Sequence, residues 1–294
     1  MNIDSPALLP KTAVILIVNN QKSELRRALA SLERSENREV MEILVVDCGS
    51  TDSTPALADE FPSITMQRLP QNFGATKALN IATRTARAEF LLFLSPDVEV
   101  AAATVSGLTA VLEANPEITA VCPLLVDATG KVLARTRRFP DQASLAAVRG
   151  GGELAWDSIS EDAVAKERVP VMYPGREALL VRKQFVAGMN YFDERFGEYW
   201  ADADLAIKIR KAGRRMELCP GIRASWHAPL EPAPSDAIHR SDRILGAAAL
   251  LSKHDGFFAG FGFRVRAILG ALLRLDFPLL SALLGGNKVG SQAK

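Results

Sequence analysis

Four strand-like apolar runs, separated by helical patterns, constrain the fold more than any other feature of the sequence. The first run, "AVILIV", is continuous, rich in β-branched residues and followed by Asn19; such a run is typical of a strand covered on both faces. The runs occupy residues 13–18, 42–46, 64–68 and 89–94. Strands that alternate with helices are joined by right-handed crossovers, so the pattern predicts an α/β protein with a doubly wound, mostly parallel sheet.

The segments between these runs carry the period of helices with one buried face. Leu25 and Leu32 belong to such a face, and Ser23 is a candidate N-cap in front of it. Thr54 is a candidate N-cap for a second helix because the proline after it suits a first helical position. A third helix is predicted over residues 74–87.

Three polar residues stand where predicted strands leave the core: Asn19, Asp47 and Asp97. The carboxyl ends of parallel strands meet at one edge of a sheet, and ligands of open parallel sheets bind beyond that edge. Either aspartate alone could equally cap a loop or a helix. Their convergence on one edge predicts a binding site there.

Composition excludes several classes of function. The chain has 294 residues, a formal net charge of +1 and 23% charged residues. This balance argues against disorder and against a global attraction to nucleic acid, so no nucleic-acid partner is expected. The three cysteines lie far apart without a C-x-x-C spacing, which argues against a disulfide framework or a zinc site and favours the cytoplasm. Neither a signal-peptide pattern nor a run of ~20 apolar residues is evident, so we expect a protein that is neither exported nor membrane-spanning.

Six motifs occur in the order found in a known enzyme family. They are "VILIVNN", "VVDCGSTDST", "LPQNFGATKALNIA", "LSPDVEV", "FDERFGEYWADADLAIKIRKAG" and "ASWHAP". Together they resemble family 2 glycosyltransferases, which are inverting enzymes of the Rossmann-like GT-A fold that use nucleotide sugars. Within that family the sequence is most similar to the rhamnosyltransferase-like members. The resemblance covers residues 13–227, about three quarters of the chain.

The resemblance implies a nucleotide-sugar site on the first half of the sheet. The strand that ends at Asn19 would run into the nucleotide site, and Asp47 would hydrogen-bond the pyrimidine base with Asp52 nearby. The stretch that resembles "N-x-G-x-x-x-x-x-N" would line the donor pocket through Asn72, Gly74 and Asn80. The nucleotide would be deoxythymidine or uridine diphosphate, because thymine and uracil differ only by a methyl group.

The segment "LSPDVEV" resembles a variant of the family's D-x-D motif and implies that Asp97 contacts the donor diphosphate and a divalent cation, Mg²⁺ or Mn²⁺. His227 would lie at the same metal and diphosphate, although a lone histidine is as often structural. Ser95 replaces the first acid of a full D-x-D, yet Mg²⁺ commonly takes only one or two protein carboxylates. Strand alternation favours a solvent-facing Glu99.

The fifth motif implies that Asp202 is the catalytic base, which in an inverting displacement must accept the proton of the acceptor hydroxyl. Asp202 and Asp204 would also suit the positive end of a helix that stops at Gly213. For Asp204 we favour this structural role. Ala201 stands where the family has a glutamate.

Residues 11–228 are predicted to form the glycosyltransferase domain, with a nucleotide-sugar half (11–100) and an acceptor half (101–228). The irregular, glycine-containing residues 141–170 would form a mobile loop that accommodates the acceptor or acts as a lid. The basic cluster in "VLARTRRFP" is typical of a solvated face, although arginine also suits the phosphates of a lipid-diphosphate acceptor.

Residues 229–294 are predicted to form a proline-containing linker and a helical tail. From Gly256 onward this tail has five Lys or Arg against one acid, with many Phe and Leu. Two interpretations are equally consistent with this composition: a tail that lies on an anionic membrane surface, or helices packed on the domain or in a dimer.

The sequence therefore predicts an inverting, metal-dependent glycosyltransferase of cell-wall or polysaccharide synthesis. It would move a sugar, with rhamnose as a candidate, from a dTDP- or UDP-linked donor to a glycan or polyprenyl-diphosphate-linked glycan, in the cytoplasm or on the inner face of the plasma membrane. The alternative is a catalytically silent relative that binds nucleotide or acceptor, motivated by Ser95 and Ala201. A nucleotidyltransferase is a third hypothesis, but the first loop, "VNNQKSE", has no glycine to receive a triphosphate.

Overall fold

A mixed sheet lies at the centre of the structure, a computed structural model that describes residues 9–133, 135–150, 154–227 and 236–290. In chain order the strands are β1 (Thr12–Val18), β2 (Met41–Cys48), β3 (Thr65–Leu69), β4 (Phe90–Leu94), β5 (Val98–Val100), β6 (Ile118–Val126), β7 (Arg135–Arg137), β8 (Trp156–Ser158), β9 (Val169–Pro170), β10 (Ala178–Arg182) and β11 (Arg215–Trp226). Within those ranges the main sheet has the order β3-β2-β1-β4-β10-β6-β11-β5, with β9 paired on β11, and β7 and β8 form a separate pair.

The first four strands confirm the predicted parallel, doubly wound arrangement. β1 pairs in parallel with β2 and β4, and β2 pairs in parallel with β3. The second half of the sheet mixes directions, because β10 lies antiparallel between β4 and β6. Apolar periodicity identifies a buried strand but does not encode its direction, so this reversal had no signal in the pattern.

Helices cover both faces of the sheet. They are α1 (Lys22–Glu33), α2 (Leu57–Glu60), α3 (Ala75–Thr85), α4 (Thr104–Ala114), α5 (Glu161–Val164), α6 (Lys183–Gly188), α7 (Ala201–Lys211), α8 (Ala237–His254), α9 (Phe257–Leu273) and α10 (Phe277–Gly285). Alternate residues of β1 contribute to two separate apolar clusters, one with α1 and α4 and the other with α3, α7 and α8. The continuous apolar runs are explained by this double coverage.

Two predicted helix starts are wrong. The first helix begins at Lys22, so Ser23 lies inside it, and no side chain caps it. Thr54 begins a 3₁₀ turn (Thr54–Ala56), and the α-helix starts only at Leu57. The side chain of Asp52 accepts the N–H of Thr54 at 2.9 Å. This hydrogen bond lies within the loop that precedes the 3₁₀ turn.

The helices after residue 236 pack on the same core as the sheet. In α8, Ile244, Leu245 and Leu251 are buried in the cluster that contains α7. Phe263 of α9 and Leu283 of α10 belong to that cluster as well. The predicted helical tail is thus present and packed, whereas the predicted linker at residues 228–235 lies outside the described residues. The division at residue 228 remains a prediction.

The chain beyond α10 returns to the sheet domain as a short strap, residues 288–290. The N–H of Val289 donates to Asp242 Oδ2 at 3.0 Å, and Lys288 Nζ donates to the carbonyl of Arg195. A Cβ added to Gly290 would lie 2.7 Å from Phe73 Cα. The strap therefore touches both the segment before α7 and the loop before α3.

Residues 141–170, predicted as a mobile loop, contain short elements in their described part. A 3₁₀ segment (Ser144–Gly150) precedes β8, and α5 and β9 follow it. Among the described residues, no helix has the length and hydropathy needed to cross a membrane.

Candidate active site

Asp47 is buried at the edge of the sheet where the nucleotide site is predicted. It lies near the end of β2, between Val18 of β1 and Arg68 of β3 in register, and is fully buried. Its Oδ1 accepts the N–H of Ser50 at 3.0 Å, and Arg68 Nε lies 3.5 Å from its Oδ2. Within the described ranges Oδ2 has no hydrogen-bond partner. A buried acceptor of this kind is suited to an imide N–H such as that of uracil or thymine.

The loops beside Asp47 are held by asparagines. Asn19 Nδ2 donates to the carbonyl of Cys48 at 2.7 Å. Asn20 Oδ1 accepts the N–H groups of Thr51 and Asp52 at 2.8 and 3.2 Å. Asn20 was not singled out in the sequence, although its φ of 53° and its place after β1 are typical of a loop-fixing asparagine. Asp52 itself is exposed at the rim of this loop.

The loop before α3 lies against the segment before α7. Asn72 Oδ1 accepts the N–H of Gly74 at 2.8 Å, and Gly74 has a φ of 88°. A Cβ on Gly74 would lie 2.9 Å from the carbonyl carbon of Gly197. The N–H of Ala75 donates to Glu198 Oε2 at 2.9 Å. The predicted donor loop is thereby joined to the segment that carries the predicted base.

Asn80 has a different setting from the other predicted donor residues. It is buried on α3, its Oδ1 accepts the N–H of Phe192 at 2.9 Å, and its Nδ2 donates to the carbonyl of Phe192 at 2.9 Å. These bonds hold the start of the fifth motif against α3. A direct contact of Asn80 with the donor remains a prediction.

Asp97 lies in the turn between β4 and β5 and meets the last motif there. Its Oδ2 accepts from Trp226 Nε1 at 2.9 Å, and its carbonyl accepts the N–H of His227 at 2.9 Å. His227 Nε2 lies 2.9 Å from Glu99 Oε1. The predicted solvent-facing position of Glu99 is therefore wrong: pairing of β5 with β11 sets Glu99 opposite Ser225, near His227.

Asp97 Oδ1 is the atom that fits a divalent cation. It is buried and has no hydrogen-bond partner in the part of the chain that the structure describes. Groups of three or more His, Cys, Asp or Glu suited to a metal are absent from the described residues. One protein carboxylate is compatible with Mg²⁺, since water and substrate phosphates complete its octahedron.

Asp202 lies in the first turn of α7 and faces a cavity of about 180 Å³. The hydroxyl of Tyr173 donates to Asp202 Oδ2 at 2.7 Å. Burial and the negative charge of Asp202 raise the pKa of Tyr173 well above its usual value, so the phenol stays protonated and acts as the donor. The hydrogen bond fixes the rotamer of Asp202 at the cavity wall.

The same cavity is lined by charged side chains in opposing pairs. Arg137 Nη2 lies 2.6 Å from Glu177 Oε1, and Arg176 Nη2 lies 3.9 Å from Glu198 Oε1. Burial opposes the charged form of Arg137, but the Glu177 carboxylate more than offsets it and raises the pKa of Arg137 overall. Burial also raises the pKa of Glu198, against the attraction of Arg176.

One chain of contacts joins this cavity to Asp97. Arg137 lies 3.9 Å from the centre of the Trp156 ring, which packs 5.6 Å from the ring of Trp226, the donor to Asp97. At the end of β2, burial raises the pKa of the Cys48 thiol to about 12, and the negative charges of Glu198 and Asp47 raise it further. The contacts of Trp156 and Trp226 therefore link the cavity that Asp202 faces to Asp97.

Comparison with known proteins gives the family. Residues 13–161 match the model of "Glycosyl transferase family 2", which is half of the chain. The chain belongs to glycosyl transferase family 2. It is a nucleotide-sugar-dependent glycosyltransferase of the rhamnosyltransferase-like group, as the motifs predict.

Individual proteins of known sequence or structure are similar to this glycosyltransferase. The N-acetylglucosaminyl-diphospho-decaprenol L-rhamnosyltransferase of Mycobacterium tuberculosis is 26% identical over 92% of each chain. GalNAc-T7, solved with UDP, GalNAc and Mn²⁺, has a TM-score of 0.64 at 16% identity and is matched over 77% of this chain but only 45% of its own. The mannosyltransferase PcManGT from Pyrobaculum calidifontis, solved with GDP-Man and Mn²⁺, has a TM-score of 0.57 at 18% identity over 95% of this chain and 79% of its own. These likenesses confirm the GT-A fold.

Several residues of the glycosyltransferase site had a weak signal or none. Tyr173, Arg176 and Glu177 stand in "YPGRE", directly before β10, and belong to none of the six motifs. Their position at the start of an antiparallel strand becomes meaningful only when the direction of that strand is known. Arg137, in the predicted basic cluster, lines the cavity, whereas Arg138 is exposed beside Asp157.

Asp204 has a structural role, as favoured from the sequence. It is fully buried, and His254 Nε2 lies 2.7 Å from its Oδ1. Lys253 and Lys208 also contact its Oδ2, at 3.1 and 3.2 Å. Asp204 thus joins α7 to the end of α8, away from the cavity that Asp202 faces.

Proposed function

We propose that this glycosyltransferase moves a sugar, rhamnose being the leading candidate, from a dTDP- or UDP-sugar to a polyprenyl-diphosphate-linked glycan with inversion. The observation that carries the proposal is the hydrogen bond from Tyr173 to Asp202 at the wall of an arginine-lined cavity. It supports an oriented carboxylate beside cationic groups at the position that the fifth motif gives to the catalytic base. The M. tuberculosis relative, whose name specifies an N-acetylglucosaminyl-diphospho-decaprenol acceptor, supports this substrate class.

The donor would be held by the residues of the sheet edge. Asp47 Oδ2 accepts the N–H of the pyrimidine, and Asn72 and Gly74 shape the loop over the sugar diphosphate. Asp97 Oδ1 is the side-chain atom that would hold Mg²⁺ or Mn²⁺, with His227 beside it. The cation, when bound, neutralises the charge of the departing nucleoside diphosphate.

Asp202 would act as the general base on the acceptor. Its free oxygen accepts the proton of the acceptor hydroxyl as that oxygen attacks the anomeric carbon from the face opposite the diphosphate. Tyr173 keeps Asp202 oriented and leaves its second oxygen available. The base needs no further proton carrier within the cavity, because the departing diphosphate leaves as a stabilised anion.

The arginines of the cavity supply a site for the acceptor's phosphates. Arg137, Arg176 and Arg243 all line it. Guanidinium groups bind phosphate oxygens in pairs of parallel hydrogen bonds. Because such an acceptor is anchored by a polyprenyl chain, we place the reaction at a membrane surface, on the cytoplasmic side where nucleotide sugars are found.

A catalytically silent binding protein is the second candidate. Neither Ala201 nor Ser95 has a carboxylate, although the family motifs have an acid at both positions. Ala201 is only 3% exposed, and the N–H of Ser95 donates to the carbonyl of Glu177 at 2.9 Å. Such a protein would bind nucleotide without turnover. Measurement of transfer separates the two candidates.

The test incubates dTDP- and UDP-sugars with the protein and a polyprenyl-diphosphate-N-acetylglucosamine acceptor, and follows both nucleotide release and sugar incorporation. We expect incorporation by the wild type and a loss of roughly 10²–10⁴-fold in kcat for Asp202→Asn, with donor affinity retained, since the base acts in the transition state. Asp162→Asn, an exposed exchange on α5, is the matched control. Nucleotide binding without transfer of any sugar by the wild type would favour the silent protein, and equal turnover of Asp202→Asn would assign the base elsewhere.

A further inference from the structure

One face of α9 is buried against the rest of the protein. Phe263, Ala267 and Ala271 are at most 5% exposed. Gly260 lets α9 approach α8 closely, because a Cβ at this position would lie 2.2 Å from the carbonyl oxygen of Ala248 in α8. The helix is thereby fixed with its long axis along the protein surface, over a length of about 25 Å.

The opposite face of α9, continued by α10, exposes large apolar side chains. We call it the outer face; its members are Phe257, Phe258, Phe261, Val265, Leu269, Leu272, Leu273, Leu275, Phe277 and Leu284. In the described ranges only two further large hydrophobic side chains are exposed, Leu9 and Met172. The apolar surface is therefore concentrated in one patch, which monomeric soluble proteins rarely leave exposed without a partner.

Positive charge borders the outer face. At 100° per residue, Arg264 and Arg266 fall on either side of the arc that holds the exposed apolar residues of α9. Arg274 follows directly after the helix and is exposed. The sequence of α9 contains no acid. The single acid between residues 256 and 290, Asp276, lies 2.6 Å from Arg240 and is thus compensated within the chain.

This charge pattern selects among partners for the outer face. A second copy of the chain, packed face to face, would bring arginines of both copies together without an acid on either face. An anionic bilayer instead offers phosphate headgroups to the arginines and acyl chains to the phenylalanines. Helices of this kind lie in the interface with their apolar side buried to about 5–10 Å.

We propose that the outer face docks the protein in the headgroup region of an anionic lipid bilayer. The proposal extends the proposed function, because a polyprenyl-linked acceptor resides in the same bilayer, but its evidence is the surface itself. Exposed rings of Phe257, Phe258 and Phe261, with centroids 5.5 and 5.8 Å apart in adjacent pairs, form the apolar end of the docking face.

Co-sedimentation of the full chain with lipid vesicles tests the proposal. We expect the wild type to sediment with phosphatidylcholine vesicles that contain phosphatidylglycerol, and at least about tenfold less with pure phosphatidylcholine. The double variant Phe258→Gln/Leu273→Gln should weaken binding to anionic vesicles by at least about tenfold. Those two side chains are 84% and 83% exposed, so their exchange does not disturb the core.

Matched controls separate docking from non-specific adhesion. Leu9→Gln/Met172→Gln exchanges the two exposed apolar residues outside the face and should bind like the wild type. Arg266→Glu should reduce the preference for anionic vesicles. Arg34→Glu should not, because Arg34 is exposed directly after α1, on the other face of the sheet.

Three results would overturn the proposal. They are wild-type protein that does not sediment with anionic vesicles, outer-face variants that bind as the wild type does, and a wild-type dimer that Phe258→Gln/Leu273→Gln converts to monomer in the absence of lipid. Transfer to a short-chain, water-soluble acceptor reports on the enzyme separately. Its persistence without vesicle binding would remove only the docking proposal, and its absence with intact vesicle binding would remove only the proposed function.

Discussion

Asp47 and Asp97 each keep one buried carboxylate oxygen that lacks a hydrogen-bond partner within the described residues. A buried acceptor left unsatisfied destabilises the folded state by roughly 1–3 kcal/mol. Residues that carry such a penalty without a ligand are expected to recover it when a ligand binds. Both aspartates lie at the carboxyl ends of parallel strands of one sheet, where we propose that Asp47 contacts the base of a nucleoside diphosphate and Asp97 its diphosphate and cation.

The first prediction concerns Asp97→Asn. Replacement of Oδ1 or Oδ2 by an amide nitrogen removes the negative charge that would hold the cation, so the enhancement of UDP or dTDP binding by Mn²⁺ should disappear. Titration calorimetry with Mn²⁺, with Mg²⁺ and with chelator measures it. Asp162→Asn, an exposed exchange on α5, is the control, because it removes the same charge outside the predicted site. Wild-type binding that does not respond to metal would show that Asp97 has another role.

At the scale of elements, two backbone segments approach each other closely, and one of them is the predicted donor loop. The loop before α3 and the segment before α7 meet at Gly74 and Gly197, and the N–H of Thr76 donates to the carbonyl of Gly197 at 3.0 Å. Both glycines have a positive φ, 88° and 67°. Side chains at either position would be strained and would push the two segments apart.

We predict that Gly74→Ala destabilises the protein more than Gly130→Ala does. Gly130 has a similar φ of 83° but nothing within 4 Å of an added Cβ, so its exchange isolates the cost of the backbone conformation, about 1–2 kcal/mol. Gly74→Ala adds the clash with Gly197, a further 1–3 kcal/mol or so. Urea unfolding of both variants measures the difference. Equal unfolding free energies would mean that the two segments separate without loss of stability.

The elements show where sequence reasoning succeeded and where it had no information. The runs of β1 to β4 were predictable because burial on both faces leaves a continuous apolar pattern. The resemblance supplied Asp202 as the base, but nothing in the pattern paired it with Tyr173, because that contact depends on the antiparallel placement of β10 between β4 and β6. The predicted caps at Ser23 and Thr54 were wrong because apolar periodicity locates a helix start only to within a few residues, and the helices begin at Lys22 and Leu57.

At the scale of the whole molecule, Asp242 connects the strap to the segment before α7. This residue of α8 is fully buried, and its Oδ2 accepts the N–H groups of Glu198 and Val289 at 3.1 and 3.0 Å. Burial raises the pKa of Asp242 to about 6 from an ordinary value of 3.8. One carboxyl group of α8 therefore holds both the strap and the segment before α7.

The raised pKa predicts a dependence of stability on pH. Between about pH 4 and 6 the folded state holds the proton of Asp242 while the unfolded chain has lost it, so the free energy of unfolding falls as the pH rises through this window. Asp242→Asn cannot titrate and should flatten that fall by roughly 1–3 kcal/mol relative to the wild type. Urea unfolding at pH 4.5 and 7 measures both slopes. Parallel slopes for the two proteins would contradict the assignment.

The strap joins the helices of the proposed docking face to the loop that is predicted to hold the donor. Residues 288–290 follow α10 directly, and Gly290 lies against the backbone of Asn72 and Phe73. If docking on a bilayer displaces α10, the strap links that displacement to the loop predicted to hold the donor, and ordering of the loop by a donor acts back on α10 by the same route. Thermodynamic reciprocity then requires that adsorption to a bilayer change nucleotide-sugar affinity by the same factor by which the nucleotide sugar changes adsorption.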